Sequence, residues 1–351
     1  MSLLTRMGHI EDLSSVMIKA KSQPSWTSAG LETNSHWRIT LPESILSSTL
    51  VLHHWLEARG YTWQSPEARG MRIQNLDLLA NVMRYHLTQT TGVVLLSGFD
   101  VAEYGESASR LLLLQLGYVL GSVLDKRGLL YDVCDRGQDH RQANVLFSST
   151  CTSPGYHTDS TDADLMPGIV SLLCLRTARE GGVNRLANTL TAYQRLLRSQ
   201  PEVLRRLCEP FIRDKIIVGE VGTRSHLDRL RNAFPVFEWG RWYPGLTCRY
   251  MRYWIEAGHD KAGLPLSEED LFVLDQFEAT LNQEDITYQL QLQPGDMIFL
   301  NNHLIAHDRT EYLDWEEPEK KRHLVRMWVG NDALQRHASK PDDMKLNHLY
   351  G

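Results

Sequence analysis

Two short segments far apart in the chain carry the residue types that metal chemistry needs. The first is Tyr156-His157-Thr158-Asp159. The second is Asn301-Asn302-His303-Leu304-Ile305-Ala306-His307-Asp308-Arg309, followed by Lys321-Arg322-His323-Leu324-Val325-Arg326-Met327-Trp328. On an extended segment His157 and Asp159 project from one face, so an imidazole and a carboxylate can grip one ion. His307 supplies a second imidazole. Two histidines and one carboxylate on one face of a divalent ion, with the other positions open, form the ligand set of non-haem Fe(II) centres that bind cosubstrate and O2.

Strand alternation places Arg322, Leu324, Arg326 and Trp328 on one face and His323, Val325, Met327 and Val329 on the other. Two cations on the interior face of a strand need an anion to neutralise them, and a dicarboxylate would do so. Arginine suits that task because its planar fork pairs with a carboxylate and keeps its charge. A salt bridge from Arg322 or Arg326 to Glu311, Asp314 or Glu316 is the structural alternative.

The elements that must hold these groups are legible around them. Ser153-Pro154-Gly155 reads as a turn, His157 to Asp159 as a short strand, and residues 160–168 as a polar loop ending in Pro167-Gly168. The apolar run from Ile169 to Leu175 predicts a strand buried on both faces, and Gly181-Gly182 a tight turn. A strand over 286–292, the Pro294-Gly295-Asp296 turn and a second strand over 297–300 lead directly to His307. Ser267-Glu268-Glu269-Asp270 has the form of a capping box that opens a helix through about Leu281. Helical spacing also marks Leu76 to Thr91, followed by a strand from Val93 to Leu96. Further helical pieces run over 192–198 and 202–207, divided by Pro201. Residues 111–124 read as a buried helix, short of the roughly 20 residues that cross a bilayer.

Short strands dominate the half that carries the candidate ligands, so the expected fold is mainly β with flanking helices, an antiparallel jelly roll. No Gly-rich phosphate loop argues for a βαβ nucleotide fold. The 351 residues are expected to form one domain, 1–351, with 1–75 an irregular accessory layer and 76–351 the core. Hydrophobic residues at 42% and charged residues at 23% suffice for a substantial core. A net charge of −6 and a pI near 6.2 offer no basic face for a nucleic-acid backbone. Five scattered cysteines without a CxxC pair read as reduced thiols, and the first residues lack the apolar core of a signal peptide. The expectation is a cytoplasmic protein, in no membrane, acting on a small molecule and capable of forming a homo-oligomer. Two other readings compete: a zinc hydrolase that uses the same triad, and a non-catalytic jelly-roll binding protein.

From about Leu76 to Val329 the chain resembles the taurine dioxygenase (TauD/TfdA) and clavaminate-synthase-like family of Fe(II)- and 2-oxoglutarate-dependent oxygenases. The resemblance is strongest in YHTD, LLCLRTAREGG, LQPGDMIFLNN, AHDRTEY and RHLVRMW. It implies a double-stranded β-helix core, with His157, Asp159 and His307 as iron ligands. Arg322 would bind the distal carboxylate of 2-oxoglutarate, and Arg326 would be a second basic residue near cosubstrate or substrate. Where the family places Thr or Ser two residues after its Gly-Gly turn, this chain has Asn184, whose amide N–H can donate instead. Asn302 would hold the strand end ahead of the distal histidine. The stretch from Arg249 to Trp254 resembles a segment that lines the substrate pocket, which makes Arg249 and Arg252 substrate-binding candidates. Asp162, in the loop beside the iron motif, is another. The implied reaction oxidises an amino-acid-like or natural-product substrate with O2, by default hydroxylating it, while 2-oxoglutarate is decarboxylated to succinate and CO2. Asp159 stands where a halogenase of this class would carry a small residue.

Overall fold

Two β-sheets carry the residues singled out by their chemistry, in a computed structural model that describes residues 24–126, 128–138, 145–215 and 225–335. Their strands are β1 (Arg38–Thr40), β2 (Val93–Ser97), β3 (Tyr131–Val133), β4 (Ile169–Arg176), β5 (Asn184–Asn188), β6 (Thr287–Leu290), β7 (Met297–Asn301), β8 (Ile305–Arg309) and β9 (His323–Val329). The larger sheet has 6 strands in the order β1-β2-β7-β4-β9-β3, and the smaller has 3 in the order β6-β5-β8. Apart from the parallel β1–β2 pair, every ladder in them is antiparallel.

The chain alternates between these sheets along its second half. It leaves β4 in the larger sheet through Gly181-Gly182 and enters β5 in the smaller one. Strands β6 and β7, adjacent in sequence, do not pair: the Pro294-Gly295-Asp296 turn carries the chain from the smaller sheet to the larger. Gly295 is required there, because its φ is +93° and a Cβ would lie 1.8 Å from the Phe99 carbonyl oxygen. The next crossing returns the chain to β8, with His307, and the last one takes it to β9. That alternation is what sets His307 opposite the arginines of β9.

The apolar run of β4 is central in the larger sheet, between β7 and β9, and is buried over most of its length. Helix Val101–Leu120 packs against β4 and β9 on one side. Its leucines Leu111, Leu112, Leu113, Leu114 and Leu116 are fully buried, which explains a helix apolar nearly all round. The capping box forms as read, with Ser267 and Asp270 bonding each other's main-chain N–H groups at the start of helix Glu268–Leu281. Pro201 begins its own helix, Pro201–Leu207, directly after Thr189–Ser199. Helix Leu76–Tyr85 continues as a wider π-turn over His86–Thr90 before β2.

The expectation of a mainly β chain needs correction. Among the described residues 42% are helical and 21% lie in strands. Helices over Thr189–Ser199, Arg252–Ala262 and Glu268–Leu281 fill the long connection between β5 and β6, and others precede β3. Residues 24–75, expected as an accessory layer, supply β1 to the larger sheet and bury Trp37 and Ile45 completely. One hydrophobic cluster extends from Trp26 to Leu334. All five cysteines are free, and no helix among the described residues is long and apolar enough to cross a membrane.

Candidate active site

The stretch expected as a short strand at His157 is reduced to one bridged residue. His157 pairs across to His307 on one side and to Met251 on the other. Pro154 precedes it without an N–H to donate, and Ser160 ends the extended chain with φ +79°, a left-handed conformation rare for serine. His157 and Asp159 still share a face.

Asp159 Oδ1 lies 3.8 Å from His157 Nε2 and 4.0 Å from His307 Nε2. The ligand atoms of the three residues all lie within 4.8 Å of one another, and the imidazole centroids are 4.3 Å apart. His157 Nδ1 is 2.9 Å from the Gly155 carbonyl oxygen, so that nitrogen holds the proton and donates, which leaves the Nε2 lone pair free. Burial pushes the Asp159 carboxyl upward, but Arg326, His307, His157 and the Trp328 N–H outweigh it and hold its pKa at about 2. Burial, followed by the neighbouring His157, lowers His307 to about 3. At neutral pH Asp159 is therefore a carboxylate and His307 a neutral imidazole, and with His157 Nε2 beside them three ligand atoms converge. That donor set fits a divalent metal such as Fe(II).

The rest of Asp159 is tightly held. Trp328 Nε1–H donates to Oδ2 at 2.6 Å, and Arg326 Nη1 lies 3.2 Å from Oδ2 and 3.4 Å from Oδ1. Asn302 brackets its main chain, accepting from the Asp159 N–H at 2.8 Å and donating to its carbonyl at 3.1 Å. Arg326, expected near cosubstrate or substrate, is thus spent on the carboxylate, although it also faces the cavity.

The triad opens on a cavity of about 150 Å³ lined from both sheets. Arg322, Leu324, Arg326 and Trp328, the alternate residues of β9 and the position before it, all line it. Arg322 is buried, and its guanidinium stacks over Tyr312 at 5.0 Å while Arg309 covers the same ring at 4.6 Å. For Arg322 the salt-bridge alternative is not realised, since Asp314 accepts from its main-chain N–H at 2.8 Å, whereas Arg326 does pair with a carboxylate, that of Asp159. Among the described residues no carboxylate pairs with the Arg322 guanidinium, and burial lowers its pKa. Gly182, φ +69°, runs beside it, where a Cβ would stand 3.3 Å from Arg322 Nε. Asn184 also lines the cavity from β5, its amide donating to the Leu290 carbonyl at 3.4 Å.

The three substrate candidates are placed elsewhere. Arg249 is buried outside the cavity lining, stacked on Phe234 at 3.7 Å and donating to the carbonyls of Asp162 at 2.5 Å and Leu165 at 3.1 Å. Its role there is to fasten the loop of residues 160–168. Arg252 begins a helix and pairs with Glu256 at 2.7 Å, Asp275 at 2.6 Å and Glu278 at 2.9 Å. Asp162 pairs with Lys215 at 3.0 Å. The same two stretches reach the cavity instead through Met251 and Trp254, and through Ser160 and Thr161. Residues missed in the sequence include Trp328 and Arg309, whose guanidinium donates to the carbonyls of Thr150, Cys151 and Thr152 ahead of His157. Trp328 had a usable signal, because it shares the β9 face of Arg322 and Arg326.

Among the described residues the only carboxylates lining the cavity are Asp159 and Asp308. Asp308 is tied to Arg185 and accepts from the Ser153 hydroxyl at 3.0 Å. Among the described residues no second acid is therefore free there to act as the base of a hydrolase.

Comparison with known proteins agrees with this site. Residues 62–328 match the family described as taurine catabolism dioxygenase TauD, TfdA family. The chain is 25% identical over 312 residues to FR-33289 synthase of Streptomyces rubellomurinus, covering 87% of this chain and 88% of that protein. It is 27% identical over 184 residues to the taurine hydroxylase-like protein SAT17 of Stachybotrys chartarum, covering 51% of this chain and 43% of that protein. Among solved structures, asparagine oxygenase in complex with Fe(II), 3-hydroxyasparagine and succinate superposes with a TM-score of 0.63 at 19% identity, over 84% of this chain and 94% of that one. The non-haem iron oxygenase OrfP, with iron, succinate and (3S)-hydroxy-L-Arg, gives 0.58 at 15% identity over 87% and 98%. At these identities the structures speak for the fold, which is like that of asparagine oxygenase. The chain belongs to the TauD, TfdA family of Fe(II)- and 2-oxoglutarate-dependent dioxygenases. Iron(II) is its metal, 2-oxoglutarate its cosubstrate and O2 its oxidant.

Proposed function

We propose that His157, Asp159 and His307 hold the iron, that Arg322 pairs with the distal carboxylate of 2-oxoglutarate, and that the enzyme hydroxylates a small amino-acid-like molecule. The observation that carries this reading is one cavity shared by three converging ligand atoms and a buried guanidinium that has no carboxylate partner among the described residues. A buried guanidinium is costly unless acceptors offset it, as main-chain carbonyls do for Arg249 and Arg309, and the flat fork of Arg322 matches a carboxylate in two-point contact. Asn184, across the cavity, takes the position of the family's hydroxyl donor. The alternation of the chain between its two sheets supports a double-stranded β-helix as the frame that holds these groups.

When bound, the iron and the keto acid supply O2 activation and removal of a hydrogen atom from the substrate. The protein's own part is positional. His157 presents Nε2 because Gly155 accepts from its Nδ1–H. Trp254, Met251 and Phe147 make the remaining cavity wall largely apolar, which keeps water away from the reacting carbon. Ser148, Ser160 and Thr161 add neutral hydroxyl groups that can orient a small polar substrate. Asparagine oxygenase and OrfP, whose structures hold hydroxylated amino acids, support that substrate class.

The test is a screen for succinate release with free amino acids, their amides and N-acyl derivatives, and small acids, followed by mass analysis of the products. A gain of one oxygen atom on an amino-acid-like compound is expected. Succinate formation coupled only to substrates of another class would contradict the proposed substrate.

A further inference from the structure

The two oxygens of Asp159 have different surroundings, and that difference carries a consequence for the metal. Oδ1 faces the Nε2 atoms of His157 and His307 at 3.8 and 4.0 Å. Oδ2 faces away from them and alone accepts the indole N–H of Trp328, at 2.6 Å, while Arg326 Nη1 reaches both oxygens, at 3.2 Å from Oδ2 and 3.4 Å from Oδ1. Trp328 lies on β9, held opposite Val170 of β4. The Arg326 guanidinium lies over the rings of both Trp328, at 5.0 Å, and Tyr131, at 5.2 Å. Both donors are therefore fixed by the sheet, not by a mobile chain end.

We infer that Trp328, assisted by Arg326, is a positioning residue that reserves Oδ2 of Asp159 for hydrogen bonding and so makes this carboxylate a one-oxygen metal ligand. The inference rests on the iron site proposed above. Its importance is a matter of coordination positions. A carboxylate free to swing can close on a metal through both oxygens, and each position it takes is one fewer for cosubstrate and O2. An indole N–H serves well because it donates a single bond in a fixed direction and has no acceptor with which to compete for the metal. Hydrogen-bond partners of metal ligands commonly change metal affinity or activity by about 10–100-fold when removed.

Trp328 also forms part of the wall between the main cavity and a smaller one lined by Leu124, Leu129 and Tyr131. A small replacement would join the two, so the test keeps an aromatic ring. Two variants serve: Trp328→Phe, and the full chain with benzothienylalanine at position 328, which keeps the indole shape but replaces the N–H with sulfur. Each is titrated with Fe(II) without oxygen, then with 2-oxoglutarate, while the weak visible charge-transfer band is followed. Thermal unfolding of the metal-free protein is recorded beside it. The expected result is a Fe(II) dissociation constant raised about tenfold or more and a displaced or weakened band, with metal-free unfolding unchanged in the isosteric variant. Fe(II) affinity and a band equal to those of the wild type in the isosteric variant would overturn the inference. Absence of the band in the wild-type protein would overturn the iron site itself, and the inference with it.

Discussion

His157 and His307, 150 positions apart (307 minus 157), are joined by a reciprocal pair of main-chain hydrogen bonds, each 2.9 Å long. The two imidazoles are therefore placed by backbone pairing before any metal arrives. Oδ1 of Asp159 completes the triangle, because two residues along an extended chain return to the same face. The site is consequently a property of the sheet architecture, and its preorganisation in the metal-free protein has measurable consequences.

Arg322 should govern cosubstrate affinity and leave iron binding intact. Arg322→Ala is expected to raise the KM for 2-oxoglutarate by about tenfold to a hundredfold, the loss of a charge-assisted pair. Arg322→Lys should recover little, because an ammonium cannot reproduce the planar fork. Steady-state kinetics with varied 2-oxoglutarate, alongside Fe(II) titration, reads both. An unchanged KM in Arg322→Ala would refute the assignment.

Gly182 connects turn geometry to that same arginine. Its φ of +69° suits glycine, and a Cβ would press on Arg322 Nε at 3.3 Å. Gly182→Ala is expected to lose about 1 kcal/mol of stability from backbone strain and to raise the KM for 2-oxoglutarate. Urea unfolding and kinetics should move together. A stability loss with unaltered KM would mean that the guanidinium tolerates displacement.

Buried histidines should make the fold sensitive to acid. Burial, with a smaller contribution from His36, lowers His86 to about 4, and burial lowers His303 to about 4 against the opposing bond from Asn331. In the unfolded chain such groups titrate near 6.5, so between pH 6.5 and 4 the unfolded state binds more protons. Their neutral burial is fully tolerated above about pH 6.5, and stability falls as pH drops toward 4, by about 1.4 kcal/mol per pH unit for each group. Urea midpoints of the metal-free protein across this range measure the slope. A His86→Gln, His303→Gln double variant should lessen it, leaving the part that His307 contributes, and an equal slope would contradict the assignment.

Arg252 and Trp254, two residues apart, should separate stability from catalysis. Arg252 bridges Glu256, Asp275 and Glu278 away from the cavity, so Arg252→Ala is expected to lower stability by no more than about 1 kcal/mol and to leave turnover unchanged. Trp254 lines the cavity, and Trp254→Ala should raise substrate KM or uncouple succinate release from product. Reversal of that pattern, read by product-to-succinate ratios, would return Arg252 to the substrate site.

These cases show which parts of the molecule were legible in the chain. The His157–Asp159 pair was, because an imidazole and a carboxylate two positions apart on an extended backbone share a face, and the same period of two puts Arg322, Leu324, Arg326 and Trp328 in the cavity; His307 was legible only through its neighbouring motif. The segment from Arg249 to Trp254 was not. It alternates like a strand, but the regular strand ends at Cys248, a single bridge joins Met251 to His157, and helix Arg252–Ala262 begins after Met251 without a side-chain cap, so no residue announced the start. The balance of helix over strand was obscured because the long helical connection between β5 and β6 carries no catalytic signal. The partner of Arg326 required the third dimension: nothing in the sequence chose Asp159 over a bound anion, whereas the register of β9 brings Arg326 and Trp328 onto that one carboxylate.

The proposed ferrous site, three side chains beside an arginine that receives 2-oxoglutarate, should show in a single optical signature. The most direct measurement is the visible absorption of the full chain mixed with Fe(II) and 2-oxoglutarate in the absence of oxygen. A weak charge-transfer band that requires both additions and disappears in His157→Ala is the predicted result. No band in the wild-type protein, or a band that survives in His157→Ala, would contradict the account.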